Sequence, residues 1–126
     1  MLYFKQKNFK EATNCLNTLL NNFSFKDYFH ENINVKLTLS YFYLIQKDYD
    51  LVELTLKSVS RKIKSEQLEK YYHVLNLIKI FESEMNHTGN AKASAKNKDL
   101  FTLFMANNKK SNEVLAHLIP ELKKKY

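Results

Sequence analysis

Apolar residues recur at intervals of three and four along most of this chain, the spacing of helices with one buried face. Phe9, Ala12, Leu16, Leu19 and Phe23 make the first stripe, and Asn21 and Asn22 weaken its end. Residues 24–31 then read as a connection with some aromatic packing. From Asn32 to Gln46 the pattern changes: Ile33, Val35, Leu37, Leu39, Tyr41, Phe42, Tyr43, Leu44 and Ile45 cover nearly every face. Val35, Leu37, Leu39 and Tyr41 alternate with polar residues as a strand would, but fifteen residues without a turn signal favour a helix packed on several sides. After a short break at Lys47 and Asp48, the stripe Tyr49, Val52, Leu56, Val59 and Ile63 is the cleanest in the chain.

Ser65 has the chemistry of an N-cap, and Glu66 and Glu69 fall where the next helix's first turn favours anions. The apolar positions Leu68, Tyr71, Tyr72, Leu75, Ile78 and Met85 predict one helix to about His87, with Gly89 as its stop. Residues 90–99 are small, polar and basic, either a linker or the exposed first turns of a helix whose Leu100, Phe101, Leu103, Phe104 and Met105 are packed. A break over residues 107–110 and a capping Ser111 precede a last helix through Val114, Leu115, Leu118, Ile119 and Leu122, which Pro120 should kink or restart.

Composition narrows the architecture further. In 126 residues there is one glycine, one proline, one cysteine and no tryptophan. That is too little turn chemistry for a many-turned β-sandwich or barrel. Glycine-rich phosphate loops, a disulfide framework and a cysteine-based zinc site are excluded on the same counts. No apolar run is long enough to span a bilayer, and Met1 to Lys10 lacks the apolar core of a signal peptide, so a cytoplasmic protein is expected.

The net charge of +7 raises the question of nucleic acid. Ten basic and six acidic groups in residues 1–64 against ten and seven in 65–126 show no concentration in one half. Nineteen lysines against one arginine, Arg61, argue against base-specific reading, which leans on the planar guanidinium fork. The high asparagine and lysine content also matches the codon bias of an AT-rich genome.

Two segments repeat at a period of 40. Tyr3 to Ala12 parallels Tyr43 to Val52, with apolar Leu16 and Leu19 after the first and Leu56 and Val59 after the second. A period of this size signals stacked helical hairpins. The pattern resembles the tetratricopeptide repeat (TPR). Asn8, Phe9 and Ala12, and again Asp48, Tyr49 and Val52, stand at its turn positions; Tyr3 and Tyr43 precede the aromatic by six, and Ser40 takes the small position where paired helices cross. The departures are Lys7 and Lys47 for the turn glycine, Lys36 for the early tryptophan, Ser24 and Lys64 for the closing proline, and Val52 for a small residue.

The resemblance covers residues 1–64 and implies an all-α fold: a right-handed solenoid of antiparallel helical hairpins with about six helices. Residues 65–126 are expected to add further helices and a C-terminal cap within a single helical domain, 1–126. The first repeat opens about halfway along its first helix, so the chain is expected to be the C-terminal part of a longer solenoid. The resemblance also implies a concave face lined by Asn34, Leu37, Thr38, Tyr41 and Ile45, either open to a partner peptide or packed against the next hairpin. Leu37 and Tyr41 replace the lysine and asparagine that clamp a peptide carboxylate in chaperone-binding members, so that ligand is not expected.

Other candidate chemistry is thin. Glu69 with His73 and Glu113 with His117 have the four-residue spacing of a two-ligand metal site, without a third ligand. His30 and His87 fall in loops on this reading. Cys15 reads as a small buried thiol, and no serine sits in a nucleophile turn. Lys92, Lys96, Lys98, Lys109, Lys110 and Lys123 to Lys125 could share one basic face. Tyr71 and Tyr72 beside Lys70 could stack bases, though their spacing suits a core. The expected role is a non-catalytic scaffold that binds a protein or peptide, with no cofactor and no metal, and with possible self-association through its N-terminal end. The alternative is a basic helical module binding nucleic acid or an acidic partner.

Overall fold

A computed structural model describes residues 9–22, 29–86, 91–108 and 113–126. The described residues contain six α-helices and no strand. No described helix is long and apolar enough to cross a membrane. The chain divides into two compact units, Met1–Val59 and Ser60–Tyr126, with the division inside the third helix. The Tyr3 to Asn8 part of the repeat, Phe23, His87, Gly89 and Ser111 lie outside the described residues.

In the first unit, α1 (Phe9–Asn22) packs on α2 (Phe29–Ile45), and α3 (Tyr49–Ser65) follows after a three-residue turn. Helix α2 begins at Phe29, so His30 and Glu31 belong to a helix rather than to the expected connection. It resolves the strand-like alternation as helix: Ile33, Leu37 and Phe42 have no exposure, and Leu39, Tyr41 and Leu44 are buried around the remaining faces. A helix buried all round reads as alternating wherever its polar residues are small or self-satisfied. Here the buried Thr38 hydroxyl donates to the Asn34 carbonyl at 2.8 Å, and the Ser40 hydroxyl donates to the Leu37 carbonyl at 2.7 Å. On α1, Ala12 is buried as expected, whereas Leu19 is exposed. Cys15 is exposed too, which corrects the buried-thiol expectation, since the inner face of α1 runs through Ala12 and Thr13.

Helix α2 closes without glycine. Lys47 adopts φ 61, in the left-handed region. Its N–H donates to the Leu44 carbonyl at 3.1 Å, and the Asp48 N–H donates to the Tyr43 carbonyl at 2.9 Å. That pair of bonds is the Schellman closure, which glycine usually serves. Lys47 is the residue at which the repeat pattern expects glycine, so a lysine holds the backbone shape. On α3, Val52, Leu56, Val59 and Ile63 are buried as the stripe predicts, while Tyr49 at the first turn is exposed. The Lys36 ammonium donates to the Ser58 hydroxyl at 2.7 Å, tying α2 to α3 within this unit.

In the second unit, the expected single helix from Ser65 to His87 is broken. Ser65 ends α3 instead of capping its successor. Gln67 repeats the closure with φ 51; its N–H donates to the Lys64 carbonyl at 3.3 Å and the Leu68 N–H to the Ile63 carbonyl at 3.0 Å. Leu68 and Ile63 are the apolar pair that commonly accompanies this motif. Glu66 pairs with Lys62 at 2.7 Å. One 3-10 turn, Glu69–Tyr71, then leads into α4 (Tyr72–Asn86).

Helix α4 buries His73, Val74, Leu77, Ile78, Ile80 and Phe81. The expected stripe through Tyr72, Leu75 and Met85 is off this face, because α5 (Ala91–Asn108) selects the strip it packs on. Residues 91–99 are helix rather than linker. The inner face of α5 is Asn97, Phe101, Phe104 and Asn108, at steps of four, three and four; Leu103, expected in the core, is 52% exposed on the opposite side.

The last helix, α6 (Ile119–Lys125), is shorter than the pattern suggested. Pro120 sits in its first turn, where a missing N–H removes no bond, so the proline starts the helix instead of kinking it. Leu115 ahead of it has φ 56, and Val114, Leu115 and Leu118 are fully buried through non-helical backbone. The Tyr126 ring lies 5.7 Å from that of Phe101.

Candidate functional site

The five residues of the expected concave face lie along one side of α2, at steps of three, one, three and four. Leu37, Thr38 and Tyr41 are buried, and only Asn34 and Ile45 keep partial exposure. Asn34 turns its amide back along the helix. Its Nδ2 donates to His30 Nε2 at 2.9 Å, which leaves the proton of a neutral ring on Nδ1. This face is therefore a packed wall with a polar upper edge.

The opposite side of α3 behaves differently. Leu54 is 65% exposed and Leu51 37%, three residues apart and turned from the buried Val52, Leu56, Val59 and Ile63. The single-stripe reading of α3 missed it, because Leu51 and Leu54 fall between the stripe's steps. The pair Leu51 and Leu54, one helical turn apart, is the signal that would have shown it.

In the second unit, the polar chemistry gathers at one buried point. Asn108, the last residue of α5, has no exposure. Its Oδ1 accepts from His73 Nε2 at 2.9 Å and from the Val114 N–H at 2.9 Å, while its Nδ2 donates to the Val114 carbonyl at 3.1 Å. One side-chain amide thus joins α4, the end of α5 and the backbone of the segment that re-enters the core. The Phe104 ring stacks on the His73 ring, with centroids 5.6 Å apart.

This geometry assigns His73 to the core. Glu69 and His73 do share the rim of a groove of about 270 Å³ with Tyr72, Asn76 and Asn107. The imidazole Nε2, however, is committed to Asn108. Glu113 and His117 are not on one helix face, because residues 113–118 are irregular chain and turn. Among the described residues, no three of His, Cys, Asp and Glu gather at metal-binding distance. Tyr71 is buried, and Tyr72 beside it is exposed.

Lys92 and Lys96 border the groove between α4 and α5, and Lys123 to Lys125 occupy the last turn of α6, where the helix dipole favours cations. Lys109 and Lys110 lie outside the described residues. No family model, no curated protein and no solved structure matches this chain.

Proposed function

We propose that the chain is a non-catalytic protein–protein interaction module: a TPR-like, right-handed solenoid of antiparallel helical hairpins, serving as a scaffold in the cytoplasm. The observation that carries this reading is the second apolar strip of α3. A helix that buries Val52, Leu56, Val59 and Ile63 and still holds Leu51 and Leu54 in solvent offers apolar area suited to a protein partner. The Asn34 and Ile45 edge of α2 belongs to the same proposal, backed by the buried Leu37, Thr38 and Tyr41. The left-handed closure at Lys47, where the repeat pattern wants glycine, supports the TPR likeness.

The test is capture on the immobilised protein, comparing the native chain with a Leu51→Glu, Leu54→Glu variant of unchanged helicity by circular dichroism. A protein retained by the native chain and lost by the variant supports the reading. An identical retained set on both overturns it. Retention of nucleic acid that disappears between about 50 and 200 mM salt favours the basic-module alternative instead.

A further inference from the structure

The buried amide of Asn108 can sit in one orientation only. Val114 offers it a backbone N–H at 2.9 Å and a backbone carbonyl at 3.1 Å, so the amide oxygen faces the first and the amide nitrogen the second. The same oxygen lies 2.9 Å from His73 Nε2. Two acceptors cannot bond, so Nε2 carries the proton. In that neutral ring Nδ1 holds the lone pair, and the atom is sealed from solvent. The network thereby fixes both the tautomer and the charge of His73.

A further proton can go only to Nδ1. It would place a full charge in a ring that is 5% exposed and stacked on Phe104. A charge there loses its hydration. Few charged groups face it among the described residues. Glu69 shares a groove rim with His73 but is exposed, so water weakens its attraction for an imidazolium, and the exposed Lys70 opposes one. From α5, Phe104, Asn107 and Asn108 carry no charge; Lys109 and Lys110 lie outside the described residues. Glu113 and His117, on the segment that re-enters the core, are both exposed.

The elements around the ring are not equally held. Helices α4 and α5 are regular and packed on each other. The segment 113–118 is irregular, with Leu115 at φ 56, and the Asn108 amide grips it by the Val114 backbone. Lifting that segment frees Asn108 and lets water reach the imidazole.

We propose that His73 is an acid switch on this segment: with a neutral ring the Val114–Leu118 backbone stays seated on Asn108, and with a protonated ring it is released. The released state exposes Val114, Leu115 and Leu118, which are otherwise fully buried. An opened chain takes up the proton with the affinity of an ordinary histidine, near pH 6.5, and the closed chain resists it. Opening is therefore independent of pH above about 7 and grows about tenfold per unit as pH falls below about 6.5. The switch lies within the second unit and does not depend on the apolar strip of α3.

Amide hydrogen exchange of the full chain, read by NMR and corrected for the intrinsic effect of pH, tests it. Protection of the Val114 amide is expected to be level above about pH 7 and to fall about thirtyfold between about pH 6.5 and 5, while Leu77 and Ile78 of α4 fall much less. His73→Gln, whose amide nitrogen can donate to Asn108 in place of Nε2, should flatten the profile. His117→Gln should leave its slope unchanged. A level profile in the native chain, an equal fall at Leu77 and Ile78, or an unaltered slope in His73→Gln each overturn the proposal. Should His73→Gln fail to fold, the ring nitrogens of the native chain decide. A neutral ring protonated on Nε2 is expected wherever Val114 stays protected, and an imidazolium in the protected chain overturns the switch.

Discussion

The two units bond several of their buried polar groups in contrasting ways. In the first, the Thr13, Thr38 and Ser40 hydroxyls bond to carbonyls three or four residues back on their own helix. Those bonds form as the helix forms and are indifferent to what packs outside. In the second, the Asn108 amide bonds to His73, 35 residues away, and to Val114 across a change of direction. Those bonds exist only when α4, α5 and the re-entering segment are all in place. One core is therefore specified mainly by shape, and the other by shape together with a polar registration point.

The sharpest way to break this contrast is Asn108→Ala. It strands the His73 N–H and both backbone groups of Val114, with an expected loss of about 2–4 kcal/mol in urea unfolding. A loss under about 1 kcal/mol would reduce Asn108 to an ordinary core residue. Next comes the pair of left-handed closures. Lys47→Gly and Gln67→Gly should each stabilise by about 0.5–1 kcal/mol, since relief of the Cβ clash exceeds the added freedom of the unfolded chain. A destabilisation by either would show that its side chain holds the turn by contacts beyond the backbone.

Thr38→Val follows, with an expected change below about 1 kcal/mol, because the carbonyl it leaves is already bonded within its helix. If it matched Asn108→Ala, the contrast between the units would vanish. The smallest effect is expected on the surface of α3. The Lys57 ammonium, 2.8 Å from Glu53, holds that carboxyl below its ordinary pKa by hydrogen bonding first and by charge second. A depressed carboxylate stabilises above its unfolded pKa and loses that contribution as pH falls through the folded value. Glu53→Gln should remove only this slight acid-side slope from a stability–pH profile, as the pair is fully exposed to solvent.

The same contrast decides what could be read in advance. Helices α2 and α3 were legible because Ile33 to Leu44 and Val52 to Ile63 declare their burial through spacing alone. The buried face of α4 was not, because His73 looks like a surface residue until Asn108 is opposite it. The break at residues 66–71 was hidden for a related reason: Gln67 takes a conformation that sequence rules assign to glycine or asparagine. Pro120 was recognised as an interruption but placed inside a helix it in fact begins, since Val114 and Leu115 are buried in irregular backbone that keeps a helix-like spacing. The groove residue Asn97 was masked by its small polar neighbours, although the steps from Asn97 to Phe101, Phe104 and Asn108 are those of a helix face.

The closure at Lys47 has a kinetic side. With neither glycine nor proline between Phe29 and Ser65, nothing in the local chain forbids α2 and α3 from running on as one continuous rod. Straightening residues 46–48 would return Lys47 to the right-handed well, recover about 1 kcal/mol or more, and surrender the burial that folding back provides. The turn thus keeps a left-handed lysine at a cost that the folded arrangement has to offset.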